Sequence, residues 1–161
     1  MNTWLEPIFD RTAEDVEFAK QQIQAWIEQV LTGNPAETRD LKGCLNLSDL
    51  NRIEGNIRYL SDKLGELQYG TSVTSKVWER RGLPTEQDVR RIISNIQVII
   101  DAFHRKDTSP NLPEDMNNYR QINDIEQNLN DIKQLLDAMI ESFPKSGTLR
   151  SGGARMLPIR R

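Results

Sequence analysis

At 161 residues, 37% of them hydrophobic and 6% aromatic, the chain has the length of one domain with a modest core and much exposed surface. No stretch approaches the roughly 18 uninterrupted apolar residues that cross a bilayer, and the start Met1-Asn-Thr-Trp-Leu-Glu-Pro7 lacks the basic and apolar regions of a signal peptide, so the chain is expected to be made and kept in a cytoplasm. The net charge of −3 divides into +5 over the last seventeen residues (Lys145, Arg150, Arg155, Arg160 and Arg161) and −8 over the rest. The single cysteine, Cys44, excludes an internal disulfide and a thiolate cluster built from one subunit, and reads as a small packing residue beside Leu45.

The chain opens with an irregular arm, residues 1–12, whose Trp4, Leu5, Ile8 and Phe9 surround Pro7. It is too apolar for an idle tail and too short to fold alone, so it is expected to dock. Thr12 followed by Asp15 announces a helix over 13–32 with the apolar row Val16, Ala19, Ile23, Trp26, Val30, stopped by Gly33 and Pro35. Asn46 with Asp49 opens a second over 47–68, with Leu45 and Leu50 placed as a hydrophobic staple and Gly70 marking its end. Residues 71–79 alternate in a way compatible with a short extended stretch, able to add to another subunit's edge, or with an ordered loop whose Trp78 caps the helices. Thr85 with Asp88 opens a third helix over 86–105, and the proline-bearing connector 106–115 leads to Asn118 with Gln121 and a fourth over 119–143. The tail, 144–161, is glycine-rich and basic, with Leu149, Met156, Leu157 and Ile159 as possible anchors.

One phrase is said twice. Asp49-Leu-Asn-Arg-Ile-Glu-Gly-Asn-Ile-Arg-Tyr-Leu-Ser-Asp-Lys-Leu64 and Asp88-Val-Arg-Arg-Ile-Ile-Ser-Asn-Ile-Gln-Val-Ile-Ile-Asp-Ala-Phe103 share Asp, Arg, Ile, Asn, Ile and Asp at matching places, with weaker echoes from Asp15 and Gln121. The four apolar rows then fall in one frame, alternating steps of three and four like the seam of a coiled coil. Isolated helices of this length are marginal in water, so the four are expected to pack on each other or on other copies. The fold class expected is therefore all-α: four amphipathic helices over 13–143, as a bundle or a coiled-coil-like assembly, with an extended C-terminal tail. Asn56, Asn95 and Asn128, with Gln22 in the matching place of the first helix, flank the seam, either to fix register across helices or as exposed amides. Gly55, mid-helix, marks either a close approach or a tolerated weak spot.

Chemistry has little to stand on. His104, the one histidine, ends a helix beside Arg105 and Lys106, which suits a capping or surface role. No nucleophile elbow, metal-ligand spacing, calcium loop or phosphate-cradling turn is present, so no catalytic residue, metal or cofactor is assigned. Arg80, Arg81, Arg90, Arg91 and the basic tail could form a positive patch, but the acidic body and missing aromatic interleaving speak against nucleic acid. Pairing of the tail with an acidic neighbouring subunit is the favoured use of its charge.

Lys42-Gly-Cys-Leu-Asn-Leu-Ser-Asp-Leu-Asn-Arg-Ile-Glu-Gly-Asn-Ile-Arg-Tyr-Leu60, together with Trp4, Asp10-Arg-Thr-Ala-Glu-Asp-Val16 and Leu83-Pro-Thr-Glu-Gln-Asp-Val-Arg-Arg91, resembles small proteins encoded among the tail genes of bacteriophages and prophages of Gram-positive bacteria. Ser146-Gly-Thr-Leu-Arg-Ser-Gly-Gly153 is similar to the ending of such proteins. The resemblance implies a structural part of the tail tip, baseplate or fibre attachment region, located in the virion after synthesis in the host cytoplasm, with no catalytic residue attached to the motif. The partners expected are other tail or baseplate proteins and further copies of the chain, through Trp4, Ile8, Phe9, Trp78, Arg150, Arg155, Met156, Leu157 and Ile159. A cytoplasmic helical adaptor or tail-assembly chaperone is the alternative, and a nucleic-acid-binding module a third reading.

Overall fold

Four capping signals open four helices in the computed structural model, which describes residues 2–80 and 82–143. They are α1 (Ala13–Leu31), α2 (Leu47–Glu66), α3 (Glu86–Ala102) and α4 (Tyr119–Ser142), and no strand occurs among the described residues. The all-α class is as expected. At α1, α3 and α4 the cap side chain accepts from the first-turn backbone while Asp15, Asp88 or Gln121 accepts from the cap's own N–H. At α2 the Asp49 carboxylate accepts the Asn46 N–H at 2.8 Å, whereas the Asn46 amide turns back and pairs with the backbone N–H and C=O of Leu41.

Helix ends follow backbone conformation. Gly33 takes φ +81°, so the N–H groups of Gly33 and Asn34 fold back onto Val30 and Gln29 and close α1. The same closure ends α2, with Gln68 and Tyr69 donating to Gly65 and Leu64. There the left-handed residue is Gln68, at φ 68°, and not the glycine two positions on.

Only three of the four seams meet. Leu50, Ile53, Ile57, Leu60 and Leu64 of α2, Ile92, Ile96 and Ile99 of α3, and Ile122, Ile125, Leu129, Ile132 and Leu136 of α4 form one core with Trp78 and Met116. α1 stands apart from it. Its packing is confined to the first turns, where Ala19 is its one buried residue and Gly43 of the following loop lies against the backbone of Asp15 and Val16. Of the two arrangements expected, helices packed on each other or on other copies, the first holds for α2, α3 and α4, while α1 stands outside their bundle.

The bundle helices run parallel. Arg52 of α2 meets Glu126 of α4, and one heptad further Tyr59 lies under Lys133. Arg91 of α3 meets Glu54, and beyond the other end of α2 Tyr69 stacks edge-on with Phe103 at 5.4 Å. Parallel neighbours require the chain to travel back between them. It does so in extended segments lying along the helices, and these carry the candidate site.

Candidate assembly surfaces and the asparagine clamps

Each extended segment is held by an asparagine at one place in the repeat frame. Asn56 accepts the Leu5 N–H at 2.9 Å and donates to the Leu5 carbonyl at 2.7 Å. Asn95 does the same for Thr74, at 3.3 and 2.8 Å. Asn128 donates to the carbonyl of Pro110 at 2.8 Å, but proline has no N–H to return, and its Oδ1 is left buried without a partner. A helix-borne amide thus stands in for the neighbouring strand of a sheet, satisfying both backbone groups of an extended residue. Of the two expectations for these asparagines, register across helices and exposure, neither describes them: all three are buried and bind extended segments.

Carboxylates and arginines extend the clamps. The arm lies between α2 and α4, with Glu126 accepting the Ile8 N–H at 2.7 Å and Asn123 bonded to both backbone groups of Arg11. The second segment lies between α2 and α3, with Glu54 accepting from the backbone of Lys76 and the indole of Trp78, and Asn51 bonded to both backbone groups of Trp78. Beneath the arm, Arg11 reaches Asp49 at 2.9 Å and Glu126 at 3.0 Å, and Arg52 bonds the same two carboxylates, all four side chains being buried or nearly so. Burial pulls the Arg52 guanidinium toward its neutral form, but its bonds to Glu126 and Asp49 outweigh this and raise its pKa. Two positive and two negative groups close as a neutral quartet, the arrangement in which buried charge is tolerable.

The grooves are related by a pseudo-threefold. Arg52 of α2 with Glu126 of α4, and Arg91 of α3 with Glu54 of α2, are the same pair in two settings. In the third, Asp124 and Ile93 occupy those places and no pair forms, leaving the Asp124 carboxyl raised by burial alone.

The residues expected to bind partners are distributed unevenly. Trp4 packs on Tyr59 with ring centroids 5.6 Å apart, Ile8 is half-buried in the clamp, and Phe9 with Leu5 faces outward. Trp78 is only 2% exposed, so the expectation that it offers a partner surface is corrected: its indole is part of the core. The alternation of 71–76 is real, half-buried at Thr71, Val73 and Ser75, and its pairing is with helix side chains and not with another strand. Arg150, Arg155, Met156, Leu157 and Ile159 lie outside the described residues. Of the arginines considered for a positive patch, Arg91 is bound to Glu54 and Arg90 to Glu86.

α1 carries an exposed apolar groove. Ile23, Trp26, Ile27, Val30 and Leu31 line an open groove of about 400 Å³ with Ala36 of the returning loop. Gly55 meets nothing where a Cβ would sit, so the weak-spot reading holds, and the close approach occurs at Gly43. His104 is exposed, and burial, followed by the nearby Asp49, pushes the Cys44 thiol up. Among the described residues no cluster of three metal-ligating side chains occurs, and no helix is long and apolar enough to cross a membrane. Neither a family model nor a curated protein nor a solved structure matches the chain.

Proposed function

We propose that the chain is a non-enzymatic structural component of a bacteriophage or phage-like tail, at the tail tip, baseplate or fibre attachment region, acting in several copies through protein–protein assembly. The observation that carries this reading is where the tail-like motif goes. Asp49, Asn51, Arg52, Glu54 and Asn56 are all engaged in holding extended segments and each other. A motif whose polar groups are consumed by architecture suits a scaffold. The open apolar face of α1 supplies a surface for association.

The same face supports a second reading, a cytoplasmic adaptor or tail-assembly chaperone that holds a partner helix transiently. Quantitative mass spectrometry of gradient-purified particles separates the two. A structural component is expected at a fixed multiple matching a symmetric assembly. Absence from particles, with abundance in the induced lysate, would replace the first reading by the second. Removal of 145–161 is expected to leave the four described helices, which lie within 13–142, intact and to abolish partner association; retained association removes the tail from the account.

A further inference from the structure

The pseudo-threefold shows what α1 is. In the second and third settings the clamped segment runs within a few residues into the next cap, from Trp78 to Thr85 and from Pro110 to Asn118. In the first, Arg11 sits at the base of the arm and the cap of α2 is Asn46. Residues 12–45, α1 and its return, are an excursion inserted between them, rejoining the bundle where Asn46 clamps Leu41.

Beyond Ala19, α1 has no buried residue. Ile23 is 39% exposed, Val30 62% and Leu31 80%. A single helix whose outer turns bury no side chain is marginal in water, so a partner for that face accounts for its apolar character. We infer that the face formed by Ile23, Trp26, Ile27 and Val30 is an interface between copies of this chain, closed by the α1 helix of a second copy.

Spacing and charge select this occupant. Val16, Ala19, Ile23, Trp26 and Val30 step by three and four without a break, the seam that a like helix completes. The positions flanking it from Lys20 onward are Lys20, Gln22, Ile27 and Gln29, while Glu14, Glu17 and Glu28 fall outside the seam and its flanks. Two copies can therefore close without setting like charges across the seam, although α1 is acidic as a whole. The basic C-terminal segment is the poorer fit, because the groove lining carries no carboxylate for its arginines.

This inference deepens the multi-copy part of the proposed function and is tested apart from it. Sedimentation equilibrium of the full chain, with Ile23→Glu and Val30→Glu, reads the association directly. The wild type is expected to associate at micromolar concentration, and each variant to weaken that by at least ~100-fold, since an unpaired carboxylate would enter the seam. Measured at concentrations too low for association, their unfolding transitions should stay close to wild type, because both sites lie outside the core. In a Cys44→Ser background, Val30→Cys should cross-link between copies on mild oxidation and Glu17→Cys should not. A wild type monomeric at 100 µM, variants that associate unchanged, or equal cross-linking at 17 and 30 overturns the inference. A monomeric chain present in particles would sink the α1 interface and keep the tail role; a self-associating chain absent from particles would do the reverse.

Discussion

At the scale of single residues, the buried amides decide more than their side-chain size suggests. Asn56 satisfies two backbone groups of Leu5, and Asn56→Ala leaves both without their partner beside a fully buried helix position. A loss of about 2–3 kcal/mol is expected by urea unfolding, with the Leu5 amide losing its protection against hydrogen exchange. The glycines give opposite signs. Gly55 faces open space, so Gly55→Ala should stabilise by about 0.5–1 kcal/mol through helix propensity. A Cβ at Gly43 would stand 2.1 Å from the Asp15 carbonyl oxygen, so Gly43→Ala must push the loop off α1 and is expected to cost about 1–3 kcal/mol. Thermal unfolding of the two variants checks both signs.

At the scale of elements, helix starts were legible because capping is local: Thr12 with Asp15, Thr85 with Asp88 and Asn118 with Gln121 need only three residues of context. Which helices share a core was not legible from the seams, since α1 carries as regular a row as α2. A finer signal was there. The bundle helices have asparagine at the clamp position, where α1 has Gln22, and α1 has Phe18 where α2 and α3 have Arg52 and Arg91. Ile57 and Ile23 occupy the same place in the repeat frame, one fully buried and the other 39% exposed. Ile57→Ala is therefore expected to cost about 2–5 kcal/mol, and Ile23→Ala within about 0.5 kcal/mol when measured at concentrations too low for association. Acid titration tests the α3 cap. The Thr85 N–H, its hydroxyl and Lys76 hold the Asp88 carboxyl down to about 2, below its ordinary value, so the stabilisation is present above about pH 4 and is lost as pH falls toward 2. The gap in melting temperature between wild type and Asp88→Asn should shrink across that window. A gap that stays constant would mean the charge does not support the cap.

At the scale of the whole molecule, three parallel helices need two return segments, and the arm is a third extended segment, joined to its helix through a long excursion. Its docking rests on contacts far apart in sequence, Ile8 with Glu126 and Arg11 with Asn123 and Asp49, which is why no window of sequence revealed them. Asp49 was legible as a capping residue, but nothing local shows that its other oxygen faces two arginines. Arg11 is the part of the quartet that belongs to the arm. Arg11→Met would leave Asp49 and Glu126 facing a single guanidinium, and a cost of about 3–5 kcal/mol is expected, because an uncompensated buried carboxylate is worse than no pair at all. Asp49→Asn removes the excess charge while keeping an oxygen for the cap, so the double variant should lose clearly less than the sum of the two single losses. Urea unfolding of the four proteins gives the coupling directly. Additive losses would mean that the pair of Arg11 with Asp49 contributes nothing to docking of the arm, leaving its backbone clamps, apolar contacts and the bond to Glu126 to hold it.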